Sequence, residues 1–273
     1  MRVIRRSNAE GLSRGFPGRH SRLDEVPGRS YTTQAVVLRS LRLGEADRVL
    51  HVYTASRGRV GAIAKGIRRT RSRFGARLEP LSHVELVLHE GRGELHTVTG
   101  VDLVRSHRAA REDQYRLGVG LVGAEAMLRL FTETEANERA WTALTRFLDL
   151  VDDLPARATA RPALDPLALS FQLKLLWLSG YGPHVGSCAE CGCEEPTTAF
   201  VPAVGGTVCR TCAAGAGLTL SPAGVAALDG LLRRPLAEAV SAVRSDRAAR
   251  DVLQVIASSY EHHGGFRLKT LSA

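Results

Sequence analysis

Apolar residues recur along this chain in two regimes, first at every second position and later at every third or fourth. From Tyr31 the chain runs in short segments rich in Val, Leu and Thr: Thr33 to Leu41, Arg48 to Thr54, Arg59 to Lys65, His83 to His89 and Glu94 to Val104. Alternation is plainest in His83-Val84-Glu85-Leu86-Val87-Leu88, the pattern of a strand with one buried face. Ser56-Arg57-Gly58 and Gly91-Arg92-Gly93 read as turns between segments. Five short strands with no intervening helix long enough to cross over predict a small antiparallel barrel, and the OB-fold is the candidate.

After Val104 the period lengthens. Leu117, Leu121, Val122, Leu128 and Phe131 repeat at helical spacing, as do Trp141, Leu144, Phe147, Leu148 and Val151. Leu167 to Leu178 is apolar nearly all round, which predicts the central helix of this part. Ser221-Pro222-Ala223-Gly224 has the form of an N-cap followed by proline at the first helical position. A later helix carries Val252, Leu253, Val255, Ile256 and Tyr260 and ends at Gly264-Gly265, with His262 and His263 facing the negative end of its dipole. The reading is α+β and multidomain: a disordered basic leader at 1–30, an OB-fold domain at 31–108 and an all-helical domain at 109–273. There is no internal repeat.

A cysteine box interrupts the helical part. Cys188-Ala-Glu-Cys191 and Cys209-Arg-Thr-Cys212 are two CxxC pairs with seventeen residues between them. Each pair sets two thiolates on one tight turn, and two such turns make the closed tetrahedral S4 site that zinc prefers. Phe200, Val201, Gly205 and Gly206 predict a hairpin that returns the chain to the second pair, so a zinc ribbon is expected at about 186–215. Paired disulfides, a redox CxxC and chance are the alternatives. Cys193 is read as a spectator thiol that could compete as a ligand. Four thiolates leave no position for water or substrate, so the one zinc ion expected is structural.

Charge changes the picture once it is located. The net charge is +9 at pH 7. Residues 1–30 hold seven cations against three acids, residues 31–110 fourteen against seven, and residues 111–273 sixteen against eighteen. The excess lies wholly in the first 110 residues, which points to a polyanionic partner. Its densest stretch runs from Lys65 through Arg68, Arg69, Arg71 and Arg73 to Arg77, six cations and no acid, between the third and fourth strands. Such a run also suits a plain solvated loop, but OB barrels bind oligonucleotides on a strand face flanked by loops, where these cations would track phosphates. Arg39 and Arg42 on the first strand, with Arg57 and Arg59 at a turn, extend the track. Phe74 is either a base-stacking ring or a side chain packed on the barrel. The leader is either a DNA-attracting arm or a solvated tail.

Other classes lack support. Pro166 to Gly180, the longest apolar candidate, is interrupted by Ser170, Gln172 and Lys174 and is too short to span a membrane. Residues 1–29 lack the apolar segment of a secretory signal; a transit peptide is a weaker alternative for this Arg- and Ser-rich stretch. With reduced, metal-spaced cysteines the expected compartment is the cytoplasm. His83-Val84-Glu85 matches the His-x-Glu of zinc deaminases, but it lies in an alternating strand far from the cysteines. P-loop, GxGxxG and GxSxG motifs do not occur. No catalytic residue is assigned and no enzyme activity is expected.

Three stretches together resemble a known family. Tyr31-Thr-Thr-Gln-Ala-Val-Val-Leu, Gly44-Glu-Ala-Asp-Arg48 and Gly58-Arg-Val-Gly-Ala-Ile-Ala-Lys-Gly66 are similar to the bacterial RecO recombination mediators, and the likeness runs from about Tyr31 to Leu271. The resemblance implies an OB-fold, a helical C-terminal domain and a four-cysteine zinc site at Cys188, Cys191, Cys209 and Cys212. It further implies binding of single- and double-stranded DNA, strand annealing, and work with RecR to load RecA onto strands coated by single-strand-binding protein (SSB); whether a RecF-like partner is used is left open. The tail of that protein is acidic and ends in a hydrophobic residue, so its pocket should be an apolar hollow rimmed by Arg in the helical domain. A zinc-stabilised, sequence-specific regulator or a protein-interaction scaffold is the alternative.

Overall fold

The computed structural model describes residues 29–68, 74–91, 93–156, 160–213, 215 and 217–271. Most of the expected leader, together with Arg69, Arg71 and Arg73 of the basic run, lies outside the described residues.

The alternating segments form β1 (Ser30–Leu43), β2 (Asp47–Thr54), β3 (Gly58–Ala64), β4 (His83–His89) and β5 (His96–Arg105). They close into a barrel in the order β1-β2-β3-β5-β4, with β4 returning to β1. All pairings are antiparallel except the short β3–β5 contact, where Ala62 faces His96 and Ile63 faces Thr97. This five-stranded closed barrel is the OB architecture. Along β3 burial alternates at every residue: Val60, Ala62 and Ala64 point inward while Arg59, Gly61 and Ile63 point outward.

β1 breaks the alternation for a physical reason. Ala35, Val36, Val37 and Leu38 are all buried, because this strand has apolar neighbours on both faces. Ala35 and Val37 fill the barrel, while Val36 and Leu38 join Tyr53 and Leu81 in the core of the helical half. Phe74 and Leu78 plug the barrel interior. Phe74 is 1 % exposed, so its ring stabilises the barrel and is not available for base stacking.

The helices are α1 (Arg108–Glu112), α2 (Gln114–Leu130), α3 (Glu138–Asp152), α4 (Pro166–Leu178), α5 (Arg210–Ala213), α6 (Pro222–Arg233), α7 (Ala239–Ala242) and α8 (Asp246–Ser259). α4 is the central one, buried on nearly every side, and it packs against α2, α3, α6, α7 and α8. Asp165 caps it by accepting from the Leu167 N–H at 2.8 Å, with Pro166 at the first helical position. Ser221 caps α6 in the same way, accepting from the Gly224 N–H at 3.0 Å. The chain leaves α8 through a π turn and reverses at Gly265, whose φ of 66° suits glycine.

The buried face of α2 includes Val122 of the expected set but is centred on smaller residues. Leu117 and Leu128 are only partly covered, whereas Tyr115, Val119, Val122, Ala126 and Met127 are buried together with Gly120 and Gly123. Large neighbours press against the two glycines: a Cβ on Gly123 would lie 2.3 Å from the Phe147 ring, and one on Gly120 would lie 2.5 Å from Leu81. Val122 of the expected set is buried and Leu117, Leu128 and Phe131 pack against the same core, so the periodicity of large residues finds the right side of α2 but not its centre, where the large residues are supplied by partners.

Between α4 and α6 lies the ribbon. β6 (Thr197–Val201) and β7 (Gly206–Cys209) form a hairpin turning at Gly205, and β8 (Leu218–Thr219) adds to its other edge. Among the described residues no helix is long and apolar enough to cross a membrane.

Candidate nucleic-acid interface and metal centre

The basic residues divide between two ends of the barrel. At the β1–β2 end, Arg42 stands opposite Arg48 and Leu43 opposite Asp47. The chain leaving β3 crosses this tip: the Gly66 N–H donates to Asp47 Oδ1 at 2.7 Å, and the Arg68 N–H donates to the Ala46 carbonyl at 3.0 Å. Arg68 Nη1 also reaches the Gly44 carbonyl at 3.5 Å. Arg39, Arg42, Lys65, Arg68 and Arg77 are exposed. The described start of the basic run thus lies against the loop between the first two strands, one of the two loops that border the binding face of OB barrels.

Arg39, His51 and Arg59 share the outer face of β1, β2 and β3, with Arg39 opposite His51 in register. Burial, and then the charges of Arg39 and Arg59, lower the His51 pKa. Arg59 turns toward the helices and donates to the Leu128 carbonyl at 3.3 Å. Arg57 lies at the opposite end, ion-paired with Glu90 and stacked over the Tyr31 ring at 3.9 Å. The turn spacing alone carries no sign of that carboxylate. Arg48, absent from the sequence-based set, donates to Ser40 Oγ at 3.0 Å and faces Glu79 at 3.8 Å.

The four-cysteine cluster is compact. One ligand atom from each of Cys188, Cys191, Cys209 and Cys212 lies within 4.8 Å of all the others. Cys191 Sγ and Cys209 Sγ are 4.0 Å apart, close to the roughly 3.8 Å edge of a tetrahedron with metal–sulfur bonds of about 2.3 Å. Cys188 Sγ accepts from the Cys209 N–H at 3.4 Å; the Cys191 N–H first, and then this one, lower the Cys188 pKa to about 6. Such donors favour the thiolate form a metal needs. The donor set can hold one metal ion and is compatible with zinc. Hairpin register delivers Cys209 opposite Thr197, and α5 places Cys212 one turn later.

A third feature could not be placed on particular residues from the sequence, because separate segments build it. A hollow of about 890 Å³ opens between α3, α4, α6 and the 183–185 segment. Trp177, Leu178, Val185, Leu232 and Leu236 give it apolar walls, and Arg139, Arg146, Lys174 and Arg233 give it positive charge. Trp177 is 61 % exposed. Lys174 Nζ donates to the Leu232 carbonyl at 3.2 Å, and burial lowers its pKa. Arg233 is paired with Asp229 at 2.6 Å.

A cation-bearing OB barrel fused to a helical half with an inserted four-cysteine ribbon defines the class of protein. The family described as "Recombination protein O N terminal" matches residues 29–107, and "Recombination protein O C terminal" matches residues 111–272. The chain is similar to the DNA repair protein RecO of Rubrobacter xylanophilus, at 40 % identity over 82 % of this chain and 89 % of that relative. RecO of Nocardioides sp. is 40 % identical over 74 % of this chain and 82 % of the relative; RecO of Thermobifida fusca is 38 % identical over 80 % and 87 %. The chain belongs to the RecO family of DNA repair proteins.

Proposed function

We propose that the protein is a recombination mediator that binds single- and double-stranded DNA, anneals complementary strands, and with RecR helps load RecA onto SSB-coated strands. The observation that carries this reading is the gathering of Arg39, Arg42, Lys65, Arg68 and Arg77 as exposed groups on the OB barrel, with the first four around the outer face and tip of its leading strands.

Annealing needs no catalytic side chain. Complementary strands repel through their phosphates, and a surface that neutralises both removes that barrier while leaving the base edges free to pair. Arginine suits the task because its planar fork matches phosphate oxygens in pairs. Arg69, Arg71 and Arg73 belong to this reading by sequence. Arg57 is its weakest member because Glu90 already neutralises it.

The hollow in the helical half is where we place the tail of single-strand-binding protein. Its apolar walls suit a terminal hydrophobic side chain, and Arg139, Arg146 and Lys174 suit the acidic residues before it. One structural zinc ion, held by Cys188, Cys191, Cys209 and Cys212, ties the ribbon closed and takes no part in strand contacts. Its closed thiolate shell has no position for a substrate.

The deciding experiment follows annealing of complementary oligonucleotides, bare and coated with single-strand-binding protein. Acceleration of both with little preference among sequences is the expected result. A sequence-selective footprint without acceleration would instead identify a regulator.

A further inference from the structure

One wall of the hollow is not made by a helix. Pro183, His184 and Val185 line it, and this short segment runs between the end of α4 and the first cysteine pair. Its backbone is held from the ribbon side. The His184 N–H donates to the Gly205 carbonyl at 2.8 Å, and the Thr207 N–H donates to the His184 carbonyl at 2.9 Å. These bonds make His184 a parallel bridge partner of Gly206, so the segment covers the free edge of β7 in the sheet order β7-β6-β8, where unpaired N–H and C=O groups would otherwise stand open. Gly206 permits the approach: a Cβ there would lie 2.7 Å from the His184 carbonyl oxygen and 2.8 Å from His184 Cβ. Gly182 precedes the segment and Gly186, at φ 113°, follows it, so the flanking backbone lends it little stiffness.

Resting on the reading of the hollow as a peptide site, we propose that β7 is the positioning element of that site: the ribbon holds 183–185 against its edge, and the hollow takes an acidic peptide with a hydrophobic end only while that segment is docked. Val185 packs on the helical core and gives the hollow apolar surface together with Leu178, Leu232 and Leu236. Undocking removes Pro183 and Val185 from the wall and admits water. The apolar lining is then incomplete, and the attraction of Arg139, Arg146 and Lys174 for carboxylates is screened. The coupling runs both ways, since a peptide that binds the docked form alone must favour docking.

Calorimetry with an acidic peptide ending in a hydrophobic residue compares wild type with Gly206→Val, which pushes on His184 from the ribbon side and leaves the lining of the hollow and the barrel cations unchanged. The variant is expected to bind the peptide about tenfold more weakly or worse, with DNA affinity as in wild type. Equal peptide affinity in the two proteins overturns the proposal and leaves the hollow a peptide site; a wild type that binds no peptide overturns both. Hydrogen exchange in wild type decides the question should the variant fail to fold. Thr207 does not line the hollow, yet its N–H is bonded to His184. Peptide at roughly a hundred times Kd should slow exchange of this amide by up to about 100-fold, more than it slows the amides of β4, which report global unfolding. Slowing at Thr207 no greater than in β4 overturns the proposal.

Discussion

His107 Nδ1 lies 2.8 Å from the carbonyl oxygen of Leu81, and it must donate because that oxygen can only accept. These two are the non-glycine residues with positive φ among the described residues, 42° at His107 and 69° at Leu81. Both are buried. Leu81 ends the segment leading into β4, and His107 opens α1, so the bond joins barrel to helices where the backbone is most constrained. On its other side the ring reaches Asp149 Oδ1 of α3 at 3.2 Å, and Asp149 also pairs with Arg105 at 2.9 Å. His107→Ala leaves the buried Leu81 carbonyl without this donor and should lower stability by about 1–3 kcal/mol. Denaturant unfolding measures it, and an unchanged midpoint would remove the junction from any account of how the two halves hold together.

Replacing Arg39, Arg42 and Arg68 with Ala should weaken binding to all DNA sequences alike. For every phosphate that is no longer neutralised, the dependence of log affinity on log salt should flatten by about 0.7 for single strands and about 0.9 for duplex. Titration by fluorescence anisotropy at several salt concentrations gives the slope. Arg57→Ala, which removes a cation already bound to Glu90, should change the slope less; a larger change there would move the interface to the other end of the barrel.

Cys209→Ser should open the ribbon and destabilise the protein by at least about 3 kcal/mol, well within the roughly 10–16 kcal/mol that structural zinc supplies to small modules. Hydrogen exchange should quicken in β6, β7 and α5, with annealing by the remaining folded protein little changed. Selective loss of DNA binding in a well-folded variant would show that the ribbon touches the strand.

Glu125 on α2 accepts from the Lys269 N–H, the Thr270 N–H and the Thr270 hydroxyl at 2.7–3.0 Å. Burial works to raise its pKa, but these donors outweigh burial and hold it below the usual value. A carboxyl depressed in the folded state contributes stability that is present above its unfolded pKa and fades as pH falls through the folded one. The docking of 269–271 on α2 should therefore be firm at neutral pH and loosen in acid, below the ordinary glutamate range. Glu125→Gln should loosen it at neutral pH and abolish its share of the acid response, as seen in exchange of the Thr270 amide.

Arg139→Glu or Arg146→Glu should weaken an acidic peptide ending in a hydrophobic residue by about tenfold or more, since like charges would then face each other at the hollow. Calorimetry with such a peptide provides the measurement. Undiminished affinity would place the peptide elsewhere.

Elements with one apolar and one polar face were legible from the chain alone. The alternating run His83–His89 matches β4 at both ends, because alternation reports a half-buried strand directly. The two CxxC pairs were equally legible, since their spacing is set by the turns that present the thiols. The centre of the buried stripe of α2 was not, because Gly120 and Gly123 are covered by Leu81 and Phe147 from distant segments. Nor was the partner of Arg57, because Glu90 is brought to it only by the pairing of β1 with β4. Sequence by itself determined which strands, helices and metal ligands could form, because local periodicity and short spacings act within a few residues. Only the tertiary structure decided which cations remain exposed, that Phe74 closes the barrel, and that α3, α4 and α6 leave a hollow between them, because each of these depends on groups far apart in the chain.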